Sequence, residues 1–135
     1  MSKPFFLRTA LIATLTMGFL SGCSNGGTAQ FIPHVESAEE ALDIALQAWK
    51  SGKPLKPIED VDPVVQPVES RWQTGQKLLS YEILKEIPSE DSKQFQVRLK
   101  LAGRLAPEET IFVVLGKDPL YVYWKPDLDK SSQSM

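Results

Sequence analysis

Cysteine and histidine are almost missing from this sequence: its 135 residues carry one of each, Cys23 and His34. A single thiol excludes an intrachain disulfide framework, and one thiol with one imidazole falls short of a four-ligand His/Cys zinc site. Cationic excess is lacking too. Fifteen Lys and Arg stand against 17 Asp and Glu, so nothing concentrates the charge needed to displace counterions from phosphates, and no nucleic-acid partner is expected. No apolar run reaches the roughly 20 residues that a membrane-spanning helix needs. Gly26-Gly27 has neither a strand pattern before it nor a Lys-Ser/Thr after it, which removes the phosphate-cradling loop. The length suits one small domain.

What is present begins at the N-terminus. Lys3 and Arg8 form a short positive region, and Thr9 to Leu20 is a mostly apolar stretch of twelve residues. Residues 1–22 therefore read as a secretory leader. Leu20-Ser21-Gly22-Cys23 follows at once. This tetrad resembles the lipobox of bacterial lipoproteins, an aliphatic residue and two small ones before a Cys. The chemistry suits each place: a thiol is nucleophilic enough to become a thioether, and small neighbours let a peptidase reach the Gly22–Cys23 bond. The resemblance implies cleavage between Gly22 and Cys23 and lipidation of Cys23 with diacylglyceryl and fatty-acyl (palmitate) chains. It also implies a lipid-anchored membrane protein of the cell envelope, facing the periplasm or exterior. Ser24 stands where an Asp would signal inner-membrane retention, which favours an outer membrane. Removing the leader leaves 113 residues, with 13 basic against 17 acidic side chains and a net charge of −4.

Residues 23–34 are expected to be the lipidated Cys and a tether, since Ser24 to Gln30 is small, polar and without period. One domain is expected over 35–125 and a polar, disordered tail over 126–135. Ser37-Ala38-Glu39-Glu40 has the form of a capping box. Ala38, Ala41, Leu42, Ala45, Leu46 and Trp49 then recur at helical spacing. Gly52 and Pro54 stop that helix. Prolines at 54, 57, 63 and 67 exclude a long helix or a central strand before Val68. Asp62-Pro63 suits the start of a short helical turn, and Val68 and Trp72 ahead of Gly75 suit a second short helix.

The remainder reads as a β-meander. Leu79, Tyr81 and Ile83 alternate with polar residues over about 78–87, and Phe95, Val97, Leu99 and Leu101 do so with strict period two. Ile111–Leu115 and Leu120–Trp124 complete four antiparallel strands joined by short links. The expected fold is α+β, one N-terminal amphipathic helix packed on a four-stranded antiparallel meander. In architecture it resembles the cystatin-like and NTF2-like α/β rolls, which host carriers, enzymes and dimerisation modules alike.

Chemistry is sparse. His34 lies at the end of the tether with no evident partner for base catalysis. Asp60 and Asp62 lack the longer oxygen array of a calcium loop and read as caps and solvated charge. Glu39, Glu40, Glu108 and Glu109 select no carboxylate pair, although sequence distance hides spatial pairing. No catalytic residue, metal or cofactor is expected. Glu82 and Glu86 can complement Arg98 and Lys100 across the sheet, and Trp49 and Trp124 read as core.

The anomaly is the last hairpin, where both faces are apolar. Ile111, Val113 and Leu115 oppose Phe112 and Val114, and Leu120, Val122 and Trp124 oppose Tyr121 and Tyr123. One helix covers one face, so the other needs a cover. Three are open. The Pro-rich segment with Val64, Val65, Val68 and Trp72 folds over it; Phe112, Tyr121 and Tyr123 form a partner surface for a second copy or another envelope protein; or a small ligand sits near Trp72 and Tyr81. The functional expectation is a non-enzymatic binding or assembly module on a lipid anchor. The alternative is a small envelope enzyme or ligand carrier using carboxylates in a roll cavity.

Overall fold

The apolar positions spaced at helical intervals from Ala38 to Trp49 all lie on one buried stripe of α1, Val35–Lys50. The computed structural model describes residues 32–133; the leader, Gly22 and Cys23, and the tether up to residue 31 lie outside it. The helix begins earlier than the capping box implies. His34 occupies the N-cap in extended backbone and makes no side-chain cap bond, so Ser37 falls inside the first turn. Pro33 and Ala38 are both buried, at the two positions a hydrophobic staple uses, and burial sets the entry instead of the serine oxygen. At the other end Gly52 adopts a φ of 83°. Its N–H donates to the Trp49 carbonyl at 3.0 Å and that of Lys53 to Ala48 at 3.1 Å, the paired bonds of a Schellman stop.

The four antiparallel strands form as their alternation implies: β2 is Leu78–Ile87, β3 Lys93–Leu101, β4 Glu108–Gly116 and β5 Leu120–Trp124. The count of four, however, is one short. Val65–Val68 is a further strand, β1, and runs parallel to β5, so the sheet is mixed and has the order β1-β5-β4-β3-β2. Pro67 is tolerated because β1 is an edge, where the missing N–H costs no ladder bond. Ile58 and Val65 exchange backbone bonds of 2.8 and 3.2 Å, which folds the Pro-rich connector back along that edge.

Asp62-Pro63 starts no helical turn. It sits in a bend whose peptide bond is cis. The second short helix does form, as α2, Ser70–Gln73, and Gly75 follows it with a φ of 99°. Residues 126–133, expected as a disordered tail, belong instead to α3, Lys125–Gln133. One local and one tertiary contact support it: Lys125 Nζ pairs with Asp129 at 2.7 Å one turn on, and Asp127 accepts from the Ser70 backbone N–H at 2.7 Å.

The core lies between α1 and one face of the sheet. Leu42, Leu46, Phe95, Val97, Leu99, Phe112 and Val114 are among its fully buried members. Trp49 and Trp72 stack at 5.8 Å, and their indole N–H groups donate to the carbonyls of Gln76 and Lys53. A hollow lined by α1, Phe112 and Val122 measures about 10 Å³, at most the room for one water, and another of about 350 Å³ opens between α1 and the Val65–Leu120 edge.

The turn at Gly116 supplies a stability test. Its φ is 90°, and a Cβ there would stand 2.7 Å from the Pro119 carbonyl oxygen, whereas a Cβ at Gly75 would meet nothing within 4 Å. Gly75→Ala should cost about 1–2 kcal/mol for the left-handed backbone alone. Gly116→Ala should cost more than that, read as a lower urea midpoint.

Candidate functional site

Directly opposed residues of neighbouring strands share a face, so the register assigns every side chain of the last hairpin. Phe112 lies opposite Phe95 and Trp124 and is buried on the helix side. It therefore does not belong with Tyr121 and Tyr123, and the expected three-residue partner surface is corrected to the tyrosine pair. Those rings lie on the outer face, opposite Leu115 and Val113 of β4 and in register with Gln66 and Val68 of β1. Their centroids are 6.2 Å apart and their planes 25° apart. Tyr121 is 37% exposed and Tyr123 half-buried.

The Pro-rich segment does not supply the cover. Val65 and Trp72 join the helix-side core, and Val68 extends the outer strip. The cover comes from α3, which packs against β4 and β5. A hollow of about 340 Å³ between them is lined by Gln96, Glu109 and Ile111 of the sheet and by Lys125, Pro126 and Asp129 of α3. Trp72 and Tyr81 do not meet around a ligand. Trp72 stacks on Trp49, while the Tyr81 hydroxyl donates to Asp43 Oδ1 at 2.5 Å and approaches Gln47 Oε1 at 3.2 Å.

The densest polar arrangement is one the sequence did not mark. Glu69 caps α2, its Oε1 accepting the Arg71 backbone N–H at 2.7 Å, and it is only 3% exposed. Arg71 donates to Glu69 Oε2 at 2.8 Å and to Glu108 Oε2 at 2.6 Å, with its guanidinium 3.6 Å above the Trp124 ring. Burial lifts the Glu69 carboxyl above its ordinary range, and the Arg71 bonds and charge offset only part of that. Burial alone would lower Arg71, but Glu69 and then Glu108 outweigh it and hold the guanidinium charged. Two carboxylates on one arginine invite a catalytic reading. Yet both carboxylates are bonded to Arg71, and the hollow reaching Glu69 is the one of about 10 Å³. The cluster straps α2 to β4 and to the end of β5. Only the N-cap position of Glu69 was open to sequence reasoning; Arg71 and Glu108 meet through topology.

The remaining candidates stay apart. His34, Glu39, Glu40, Asp60, Asp62 and Glu109 are exposed. Among the described residues, no three His, Cys, Asp or Glu side chains gather as a metal site. On the outer face Arg98 bridges Glu82 at 3.2 Å and Glu109 at 2.9 Å; on the helix side Lys93, in register with Val114, faces Glu86, in register with Phe95, at 3.9 Å.

Removing Arg71 leaves Glu69 buried without its cation. Arg71→Ala should cost about 3–5 kcal/mol near neutral pH, whereas Arg98→Ala on the solvated face should leave the midpoint almost unmoved. The raised Glu69 carboxyl rises further in the Arg71 variant. A raised acid favours the fold below its unfolded value and loses that contribution as pH climbs through the folded one. The gap between wild type and variant should therefore narrow on acidification, read by urea titrations across the carboxylate range. The Tyr81 hydroxyl is likewise raised, by burial and then by the bond to Asp43 and its charge. Tyr81→Phe should cost about 1 kcal/mol at neutral pH. Above the unfolded phenol value of about 10 wild type loses stability that the variant never had, and the two should converge.

No protein-family model matches this chain, and neither a curated protein nor a solved structure matches it, so its function is read from this geometry.

Proposed function

We propose that the chain is a bacterial envelope lipoprotein whose α+β domain is a non-enzymatic binding or assembly module. In this reading residues 1–22 are cleaved before Cys23, and Cys23 carries diacylglyceryl and palmitate-type acyl chains. The domain then stands on the outer face of an envelope membrane, the outer membrane where the cell has one. No helix among the described residues is long and apolar enough to cross a membrane, and the lipobox supplies the attachment. The fold is the one-helix, curved-sheet arrangement of the cystatin-like and NTF2-like rolls, extended here by β1 and α3.

A single observation carries the binding role. The middle of the helix side is packed by α1, with a hollow at its Val65–Leu120 edge, while the outer side presents the Tyr121–Tyr123 pair beside half-buried Leu115 and Val68. Aromatic rings on a rigid strand bury much area for little lost freedom, which suits them to partner contacts. The partner is an envelope protein or a second copy of the chain. Acyl chains that confine both partners to one surface raise their effective concentration, so a modest contact suffices.

Tyr121→Ser with Tyr123→Ser should abolish crosslinking to the partner in cells while circular dichroism and the urea midpoint change little. Global unfolding of that variant would instead assign the rings to the core. Independently, Cys23→Ala should abolish fatty-acid incorporation, and retained labelling would remove the anchor.

A further inference from the structure

Three connections converge where α1 ends: residues 51–54, 74–77 and 102–107. They are laced together by bonds from Trp72 to the Lys53 carbonyl, from Trp49 to that of Gln76, from the Ala102 N–H to that of Lys77, and from the Gln76 amide to that of Ala102. The pole they build is basic. Lys53, Lys77 and Lys100 form no ion pair among the described residues, and Arg104 reaches only Glu108, at 3.4 Å. Two leucines accompany them. Leu105 is fully exposed at the tip of the β3–β4 loop, and Leu79 is 50% exposed at a register shift in β2. Acid is denser at the other end, where Glu36, Glu39 and Glu40 lie in the first turns of α1 and Glu40 shares a hollow with Asp62; beside the pole, Glu59 and Asp60 share a hollow with Lys53 and Lys56. A chain of net negative charge thus holds three of its unpaired lysines and a weakly paired arginine at one end, around an aliphatic tip.

The geometry points to this pole as a docking surface for an anionic lipid bilayer. A lone leucine on a narrow turn has no flat apolar ground around it to seat a protein partner. A fluid headgroup layer admits such a side chain and places the flanking cations at the depth of the lipid phosphates. The inference rests on the envelope-lipoprotein reading only for the bilayer being near. Eight residues lie between Cys23 and Ile32, a reach of at most about 30 Å. The 16 residues of α1 span about 24 Å. A chain anchored at Cys23 can therefore lay its far pole on the membrane that holds it.

The test uses an unlipidated chain starting at Ser24, which keeps the whole core because that core is built within residues 32–133. It is mixed with vesicles of phosphatidylcholine alone or with phosphatidylglycerol added, and sedimented in low and high salt. Binding should require the anionic lipid and weaken with salt. Lys77→Gln with Lys100→Gln should weaken it by about fivefold per cation. Leu105→Ser should weaken it while leaving the urea midpoint unchanged, since that side chain packs on nothing. Absent binding, equal binding to neutral vesicles, or variants that bind like wild type would each overturn the assignment. Lipid labelling of Cys23 is a separate readout, so loss of the anchor and loss of this contact are told apart.

Discussion

A helix is about 10 Å thick, and strands lie about 4.8 Å apart, so one helix cannot cover a face of five strands. That mismatch governs this molecule. Residues of α1 occupy the middle of the inner face, and what they leave open must be filled by segments with no regular structure of their own. Leu55, Ile58 and Val61 of the Pro-rich connector pack against the core along one flank, and Trp72 of α2 closes the far end by stacking on Trp49. The prolines suit this task. They hold the connector extended so that it can run beside the sheet, and they allow a brief strand only at the edge, where β1 lies.

The outer face solves the same problem differently in its two halves. Over β2 and β3 it is polar, and its charges satisfy one another, Arg98 standing between Glu82 and Glu109. Over β4 and β5 it is apolar and receives α3. A short polar helix has little intrinsic stability, so its position depends on what ties it down. Asp127 accepts from the first N–H of α2, and the residue just before α3, Trp124, lies under the Arg71 guanidinium. The buried ion cluster thereby fixes α2 and α3 together. Apolar residues in its place would fill the space as well but would set no unique orientation, which gives the charged version a structural purpose.

Local pattern made most of the fold legible. The seven buried residues of α1 include every apolar position that its spacing marks, and the strands of the meander follow period-two alternation to within a few residues. What escaped was non-local. β1 was hidden because Pro67 argues against a strand until one knows that it lies at an edge, beside a β5 more than 50 residues away. α3 was hidden because part of its support, the bond from the Ser70 N–H to Asp127, is tertiary. The site was legible to a similar depth. Tyr121 and Tyr123 stand out in any reading of that hairpin, but the face that Phe112 shares depends on the register between β4 and β5, which alternation within each strand leaves open. Arg71 and Glu108 carry no local signature, because the contact that defines them is tertiary.

The proposed surfaces are arranged so that one does not block the other. Leu120, at the start of β5, lines a hollow with Ser37 and Glu40 of the first turns of α1, so the tyrosine strip begins near the end of the domain to which the tether connects. The basic pole lies past the opposite end of α1. In the proposed docking the pole rests on the bilayer, the tether runs back beside the domain to the acyl chains, α1 stands away from the membrane and the outer face of β5 turns sideways. A partner then approaches within the membrane plane. Under the proposed anchoring, confinement to one surface would raise its effective concentration, so a strip holding one well-exposed tyrosine would need less contact area than a freely diffusing protein.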